Sequence, residues 1–411
     1  MDILIIPTPL FDENVAVQAY YLRNRRGNEL LEATGTASLD GAMLSPPLEV
    51  LNIVGLEALT MGKPIFVPVT RYMLLSRLEI QSNQPAGKLV FLVNAEEIDD
   101  AGKYVGNMER LVKLGYRFAM RKITDFEAVA GLLPFCSHVL YDVATFDLEE
   151  EAEIRRRVAE ANASLSYVYA NISSVERFKE LSGRHGGMFE GTFYRMPVSK
   201  GKRHVAPLQA NMISLMNTVR RGDFSFSDVS AVVGKDPALA VSLLKMVNSA
   251  HFAFREKIKS INQAVVMLGQ KEVAKWITTA VARQLGAKKP GELTRVALVR
   301  AKFAEEMGIR LGMAEDAQSI FLMGLFSVLD AMLDMPLVDA LGLVQVSDEI
   351  YDALVRRSGR LNYVYQFVLE YEAANWTVVS RMMIIKDIRA ADVYEAYMGA
   401  MIWYNSLLKN D

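Results

Sequence analysis

Two adjacent cations, Arg121 and Lys122, directly follow a short apolar run over residues 116–120. Guanidinium and ammonium groups bind phosphate oxygens, and a guanidinium can do so with two parallel hydrogen bonds. If the run is a strand of a β/α barrel, the pair lies at the strand's C-terminal end, where such barrels bind ligands. The two side chains could clamp a phosphate there, or they could be solvated charges that pair with loop carboxylates.

The residues that most often bind metals or act as nucleophiles are scarce. The four histidines are His138, His185, His204 and His251, and no two of them are three or four positions apart, so the sequence contains no helical histidine pair for a metal. The single cysteine, Cys136, cannot form an intrachain disulfide, and its neighbours include no cations that would activate the thiol. We therefore predict no metal site, no catalytic residue and no cofactor.

The first half of the chain alternates short β-rich runs with helical patterns. Strand ends at residues 69, 93, 120, 143 and 170 are separated by 24, 27, 23 and 27 residues, which is the length of a strand, a helix and two loops. This spacing predicts a TIM-like β/α barrel of parallel strands. The predicted strands cover residues 15–22, 65–69, 89–93, 116–120, 139–143, 166–170 and 188–194.

The second half has no comparable strand pattern. A polar stretch at 195–203 indicates a linker, and apolar residues then recur at helical spacing. Gly234 is placed as a helix C-cap, and Asp236 with Pro237 as the start of the next helix. The fold class is therefore α/β plus all-α, with a barrel over residues 1–198 and a helical bundle with a C-terminal helical extension over 199–411.

Composition limits the functions that the chain can perform. Of 411 residues, 51% are hydrophobic, which is enough to form ordered cores, and the formal net charge is only −2. A balanced charge gives no global attraction for nucleic acid, so we expect no nucleic-acid partner. The N-terminus lacks the pattern of a signal peptide, and the longest apolar stretch, 320–329, is about half of a membrane span. We expect a cytoplasmic protein without membrane insertion.

Two sets of segments resemble known signalling domains. Residues 10–14 (LFDEN) with 19–23 (AYYLR) resemble the opening of the EAL domain, a barrel that hydrolyses cyclic di-GMP. Residues 211–285, with Asp236-Pro237, 247–250 (VNSA) and 261–269 (INQAVVMLG), resemble an HDOD domain. Together the order resembles the EAL-HDOD signalling proteins over essentially the full chain.

The resemblance also implies where an active EAL domain would place its metal ligands, its catalytic lysine (the position of Leu140) and a glutamine (the position of Glu190), and all of these positions carry other residues here. They correspond to Tyr21, Pro68, a position near Val93, Arg121-Lys122, Leu140, Asn171, Ser174 and Glu190. Glu96 is the nearest acidic residue to Val93, and Asp142 remains two residues after Leu140. In the HDOD part, Ser327 and Val328 take the places of the histidine and aspartate ligands of HD-type hydrolases. Both metal-ligand sets are therefore expected to be lost.

The resemblance implies a catalytically inactive signalling scaffold that acts through protein contacts in a bacterial second-messenger or motility and surface-behaviour pathway. The alternative is a receptor that binds cyclic di-GMP without metal and without hydrolysis. A residual phosphodiesterase would have to recruit Glu96, Asp142 and Glu190. The candidate ligand-binding residues are Arg23, Arg25, Arg121, Lys122 and Glu190. Unidentified signalling proteins are the expected partners, cyclic di-GMP is a further candidate, and a homodimer is left open.

Overall fold

The computed structural model describes residues 3–26, 46–145, 152–184, 186–197, 260–287 and 289–409, together with residues 147, 149, 213, 216, 217, 219, 225–233, 243, 247 and 258. The chain divides into two compact units. The barrel unit consists of Met1–Tyr194 and Glu370–Tyr394, and the helical unit of Arg195–Leu369 and Glu395–Asp411. The sequence-based division at residue 198 leaves 370–394 with the helices, whereas in the structure these residues pack with the barrel.

Eight strands form a closed barrel in the order β1 to β8. They are β1 (Ile3–Phe11), β2 (Val17–Arg26), β3 (Ile65–Val69), β4 (Leu89–Asn94), β5 (Arg117–Arg121), β6 (Cys136–Asp142), β7 (Ser166–Ile172) and β8 (Met188–Gly191). From β2 to β8 every neighbouring pair is parallel, whereas β1 is antiparallel to both β2 and β8. The predicted barrel is thus confirmed, and the expectation that all its strands are parallel is wrong for β1.

Alternate residues of the strands fill the barrel. Because side chains on a strand point to opposite faces in turn, residues two apart share the interior. The interior cluster contains Leu10, Ala19, Phe66, Val90, Leu92, Ala119, Leu140, Val168 and Ala170, with Tyr21 and Met188 packed against it. The next interior positions toward the C-terminal ends of β2, β4, β5, β6 and β8 are polar, whereas Pro68 occupies this position on β3, and these strand ends form the mouth of the barrel.

Strand β1 contains Pro7 and Pro9, which the sequence analysis did not assign to a strand. The backbone N–H and C=O of Ile5 both form hydrogen bonds with the Tyr371 hydroxyl. At Ile5 these backbone groups therefore point away from β2. Pro7 and Pro9 are two and four residues after Ile5, so their backbone groups point to the same side of the strand as those of Ile5. Their missing N–H groups therefore fall on the side where β1 makes few ladder bonds, because β1 pairs with β8 only through Phe11 and Phe189.

The helices of the N-terminal part are short and lie between the strands. They are α1 (Pro46–Val54), α2 (Leu56–Thr60), α3 (Arg71–Leu74), α4 (Gly102–Lys113), α5 (Phe126–Val129), α6 (Ala152–Ala161) and α7 (Val175–Arg184). Asp125 caps α5 by accepting hydrogen bonds from the backbone N–H groups of Glu127 and Ala128. Thr70 caps α3 in the same way through Met73.

The rest of the described chain is helical, as predicted. Its helices are α8 (Phe226–Val233), α9 (Ile261–Leu285), α10 (Gly291–Arg310), α11 (Ala317–Phe326), α12 (Leu329–Leu333), α13 (Leu337–Val344), α14 (Asp348–Tyr351), α15 (Asn362–Glu372), α16 (Trp376–Ile385) and α17 (Ala390–Lys409). Helices α10 and α11 cross closely because Gly324 has no side chain: a Cβ there would lie 2.7 Å from Ala301 Cα. The predicted turn at Gly234, Asp236 and Pro237 lies outside the described residues.

His138 on β6 makes the barrel sensitive to acid. Its ring contacts Phe66 edge-on at 5.1 Å, and burial together with the nearby Arg117 lowers its pKa to about 4. An unfolded histidine has a pKa near 6.5, so between these values the unfolded chain binds a proton that the folded chain does not. This contribution to stability is complete above pH 6.5 and is lost as the pH falls toward 4.

We predict that His138→Gln makes the unfolding free energy less dependent on pH. Relative to pH 7, wild type loses about 2 kcal/mol at pH 5 through this group, and the variant does not. Urea titrations of both proteins at pH 7 and pH 5 measure the difference. Parallel loss of stability in the two proteins would contradict the assignment to His138.

Candidate functional site

The mouth of the barrel contains a cavity of about 400 Å³. Its walls come from the C-terminal ends of β2, β3, β5, β6, β7 and β8, and from the turn between α15 and α16. The lining residues are Tyr21, Arg23, Asn24, Pro68, Arg121, Leu140, Asp142, Ala170, Asn171, Glu190, Ala374 and Trp376. All of them belong to the barrel unit. Three of the five predicted binding residues, Arg23, Arg121 and Glu190, thus meet in one cavity.

Glu190 organises one side of this mouth cavity. Its carboxylate is almost buried and forms an ion pair with Arg23 Nη2 at 3.1 Å through Oε1. The other oxygen, Oε2, accepts a hydrogen bond from the backbone N–H of Asn171 at 2.9 Å. Asn171 has a left-handed backbone with φ of 63°, which asparagine tolerates better than most residues, and its Nδ2 donates to Asp142 Oδ2 at 2.7 Å. The charge of Arg23 is therefore already compensated within the protein.

Arg121 is arranged differently. Its Nη1 donates to the Tyr21 hydroxyl at 2.9 Å, and its Nε is buried without a hydrogen-bond partner. Among the residues that the structure describes, no carboxylate forms an ion pair with it. Asp142, on the neighbouring strand β6, accepts hydrogen bonds from Asn171 and from the Ala144 backbone N–H, but has no cation partner within the described part of the chain. The cavity thus contains one guanidinium and one carboxylate that do not neutralise each other directly.

Lys122 is not among the described residues that line the cavity. Lys122 has a left-handed backbone with φ of 56°, and its ammonium group forms an exposed ion pair with Glu96 at 3.1 Å. This is the pairing with a loop carboxylate that the sequence left open as the alternative. Arg25 is in β2, but its side chain lies outside the described residues.

The turn between α15 and α16 was not anticipated as part of the site. Ala374, with φ of 55°, reverses the chain, and it lines the cavity together with Trp376. Tyr371 fixes this turn: its buried hydroxyl accepts from Ile5 N at 3.2 Å and donates to Ile5 O at 2.7 Å, and its ring packs edge-on against Trp376 at 5.4 Å. Arg23 Nη1 also approaches the Ala373 carbonyl at 3.5 Å. No local pattern in the sequence indicates this contact, because it joins residues far apart in the chain.

The side chains of the mouth do not fit a pair of divalent metals. Mg²⁺ and Mn²⁺ require several oxygen ligands that converge on one point. At the positions implied by the EAL resemblance the cavity presents a phenol, a proline, an arginine and a leucine, and its carboxylates Asp142 and Glu190 already accept hydrogen bonds. Among the described residues no group of three or more His, Cys, Asp or Glu could hold a metal.

The strand register corrects one detail of the alignment. Val90 and Leu92 belong to the interior cluster, so Val93 points to the opposite face of β4. The interior positions on either side of Val93 are therefore Leu92, which has no oxygen ligand, and Asn94, whose Nδ2 donates to Glu97 Oε1 at 3.3 Å. Glu96 lies beyond the strand in a short turn, paired with Lys122.

In the helical unit, a buried arginine occupies the neighbourhood of the implied HD ligands. Arg300 Nη1 donates to Ser327 Oγ at 2.6 Å, and Ser327 donates to the Gly324 carbonyl. Val328 is buried, and burial raises the pKa of the nearby Asp330. A guanidinium and a serine hydroxyl do not make a metal-binding set.

Comparison with known proteins identifies the second domain. Residues 205–332 match the HDOD domain family, and they follow the eight-stranded barrel. Residues 205–332 thus contain an HDOD domain. The chain is 24% identical to "Uncharacterized protein YuxH" of Bacillus subtilis, over 99% of both chains.

A second relative is "Cyclic di-GMP phosphodiesterase CdgJ" of Vibrio cholerae, which is 26% identical to this chain over 82% of this chain and 78% of its own. Among solved structures, the match to a standalone EAL protein from Vibrio cholerae O395, in its c-di-GMP-bound form, spans 46% of this chain and 90% of that chain, with 13% identity and a TM-score of 0.38. Within the described part of this chain, no helix has both the length and the apolar character needed to cross a membrane.

Proposed function

We propose that the chain is a non-catalytic component of cyclic di-GMP signalling that acts through contacts with other signalling proteins. The observation that carries the proposal is Arg121, a cation placed where the resemblance implies acidic metal ligands, and hydrogen-bonded to Tyr21, which stands at the position of the motif glutamate. In an active enzyme of this kind, metals supply the attacking hydroxide and neutralise the phosphodiester. A fixed guanidinium can neutralise charge, but it cannot lower the pKa of a water molecule as a coordinated metal does.

A role in protein contacts is supported by two consecutive exposed isoleucines. Ile384 and Ile385 at the end of α16 are 77% and 72% exposed. Large apolar side chains side by side on a surface are typical of interaction sites when they belong to a patch. They lie in the C-terminal segment that belongs to the barrel unit, so a partner bound there would contact the same unit that contains the cavity.

A second candidate function is metal-independent binding of cyclic di-GMP, and Arg121 favours it because this guanidinium has no carboxylate partner among the described residues. The charge balance of the cavity weighs against it. Arg23 is paired with Glu190, and the charge of Asp142 offsets that of Arg121 within the same cavity. A ligand with two phosphodiesters would therefore meet no net positive charge.

The test is a calorimetric titration of the full-length protein with cyclic di-GMP, with and without Mg²⁺ or Mn²⁺, followed by chromatographic analysis of the nucleotide. We expect no hydrolysis under either condition. Cleavage that requires added metal would overturn the proposal and align this chain with the named activity of its CdgJ relative. Saturable binding without cleavage, lost in Arg121→Ala but retained in Lys122→Ala, would establish the second candidate instead.

A further inference from the structure

We propose that the mouth cavity binds a compact zwitterion, whose carboxylate or phosphate meets Arg121 and whose ammonium group meets Asp142. This inference deepens the proposed function, because it rests on the mouth being non-catalytic and names the ligand that it would hold instead. The cavity is bounded by Arg121, Asp142, Tyr21, Asn171 and Trp376. Each of these groups has a definite chemistry toward such a ligand.

The first argument is the state of Arg121. Arg121 is half-buried and has no carboxylate partner among the described residues, and its buried Nε has no hydrogen-bond partner there, which is costly for a charged group. The hydrogen bond to Tyr21 orients the side chain but does not neutralise it. An oxyanion in the cavity would supply the missing charge and acceptors.

The second argument is the state of Asp142. Its carboxylate receives only amide donors, from Asn171 Nδ2 at 2.7 Å and from Ala144 N at 3.1 Å. Asp142 and Arg121 line one cavity from the neighbouring strands β6 and β5 without forming an ion pair, so the site presents one positive and one negative group. A ligand with one charge of each sign pairs with both groups, whereas a multiply charged anion is repelled by Asp142.

The third argument is size. A volume of about 400 Å³ lies at the lower end of the range for small-molecule pockets, roughly 300 to 1,000 Å³. Ala374 and Trp376 close the cavity from the α15–α16 turn, and Tyr371 fixes that turn to β1. The Trp376 ring adds an apolar surface for the carbon skeleton of the ligand. The site therefore selects for compact molecules.

The experiment is calorimetric titration of the full-length protein with a graded set of probes. Glycine, β-alanine and γ-aminobutyrate vary the separation of the two charges, acetate and methylammonium supply one charge each, and inorganic phosphate supplies a compact multiply charged anion. The variants are Arg121→Met and Asp142→Asn, and Lys122→Met is the matched control because Lys122 is adjacent in sequence but does not line the cavity.

We expect at least one amino acid to bind roughly tenfold or more tightly than acetate or methylammonium. Arg121→Met should abolish this binding, Asp142→Asn should reduce the amino acid to the level of acetate, and Lys122→Met should leave it unchanged. If Arg121→Met does not fold, Asp142→Asn tests the proposal by itself, because this variant should bind the amino acid no more tightly than it binds acetate.

Three results would overturn the proposal: no saturable binding of any amino acid, unchanged binding in Arg121→Met, or tighter binding of inorganic phosphate than of every amino acid. The last result would identify a plain anion site. Failure of the proposed function is a separate outcome, because it is read from metal-dependent cleavage of cyclic di-GMP and not from these titrations.

Discussion

Replacing Gly191 with alanine is expected to lower the unfolding free energy by about 4 kcal/mol, because overpacking and backbone strain act together. Gly191 ends β8 with φ of 155°, and a Cβ there would lie 2.0 Å from the carbonyl oxygen of Ile172. Ile172 is its direct partner on β7, so no side-chain movement relieves the clash. The two strands must separate, and the preceding residue, Glu190, must move away from Arg23.

Urea denaturation measures the effect, and Gly106→Ala is the matched control. Gly106 lies within α4, and a Cβ there meets no atom within 4 Å. Alanine in a helix is more favourable than glycine, so this variant should be stabilised by about 0.5 to 1 kcal/mol. Equal stability of Gly191→Ala and wild type would show that β7 and β8 are not packed as described.

The second large effect is expected at Glu305 in the helical unit. Its carboxylate receives Lys275 Nζ at 2.7 Å on both oxygens and Lys302 Nζ at 2.7 Å on Oε2. All three side chains are mostly buried, and Lys275 also lies over the Phe321 ring. The Glu305→Gln change leaves Lys275 against a neutral amide, whereas Lys302 keeps its ion pair with Glu306 at 2.8 Å, so the change should cost about 3 kcal/mol, the lower end for a broken buried pair.

The control for Glu305 is Glu153→Gln, which removes an exposed ion pair with Arg156. Such pairs contribute at most about 1 kcal/mol. Glu305→Gln should therefore unfold at a clearly lower temperature and urea concentration than Glu153→Gln. If Glu305→Gln unfolds at the same urea concentration as Glu153→Gln, the buried cluster does not stabilise the helical unit.

The strands that could be predicted are those with a simple local signal. The run at 65–69 coincides with β3, because a continuous β-branched and aromatic segment between turns is typical of a buried parallel strand. Strand β1 was missed because two prolines interrupt it, and they are tolerated only because their side of the strand makes few ladder bonds. The predicted end of β8 was three residues too late, because the close approach of Gly191 to Ile172 ends the strand and residues 193–195 form a turn.

The site was only partly predictable for a similar reason. Arg121 and Glu190 could be named because strand ends and a family resemblance place them at the barrel mouth. The residues that form hydrogen bonds or ion pairs with Arg121 and Glu190 could not be named from local sequence patterns. Whether Arg121 meets a carboxylate depends on the distances between β2, β5 and β6, and the contribution of Trp376 depends on a contact with a distant part of the chain.

The bonds between Tyr371 and Ile5 have a consequence for how the protein is made. The two residues are 366 positions apart, so at a synthesis rate of 5 to 20 residues per second the hydroxyl group follows the strand from the ribosome by roughly 20 to 70 s. During that time the backbone groups of Ile5 lack this partner, and an unpaired strand edge invites pairing with other chains. Synthesis of the segment around Tyr371 thus ends the period in which this part of β1 is open to pairing with other chains.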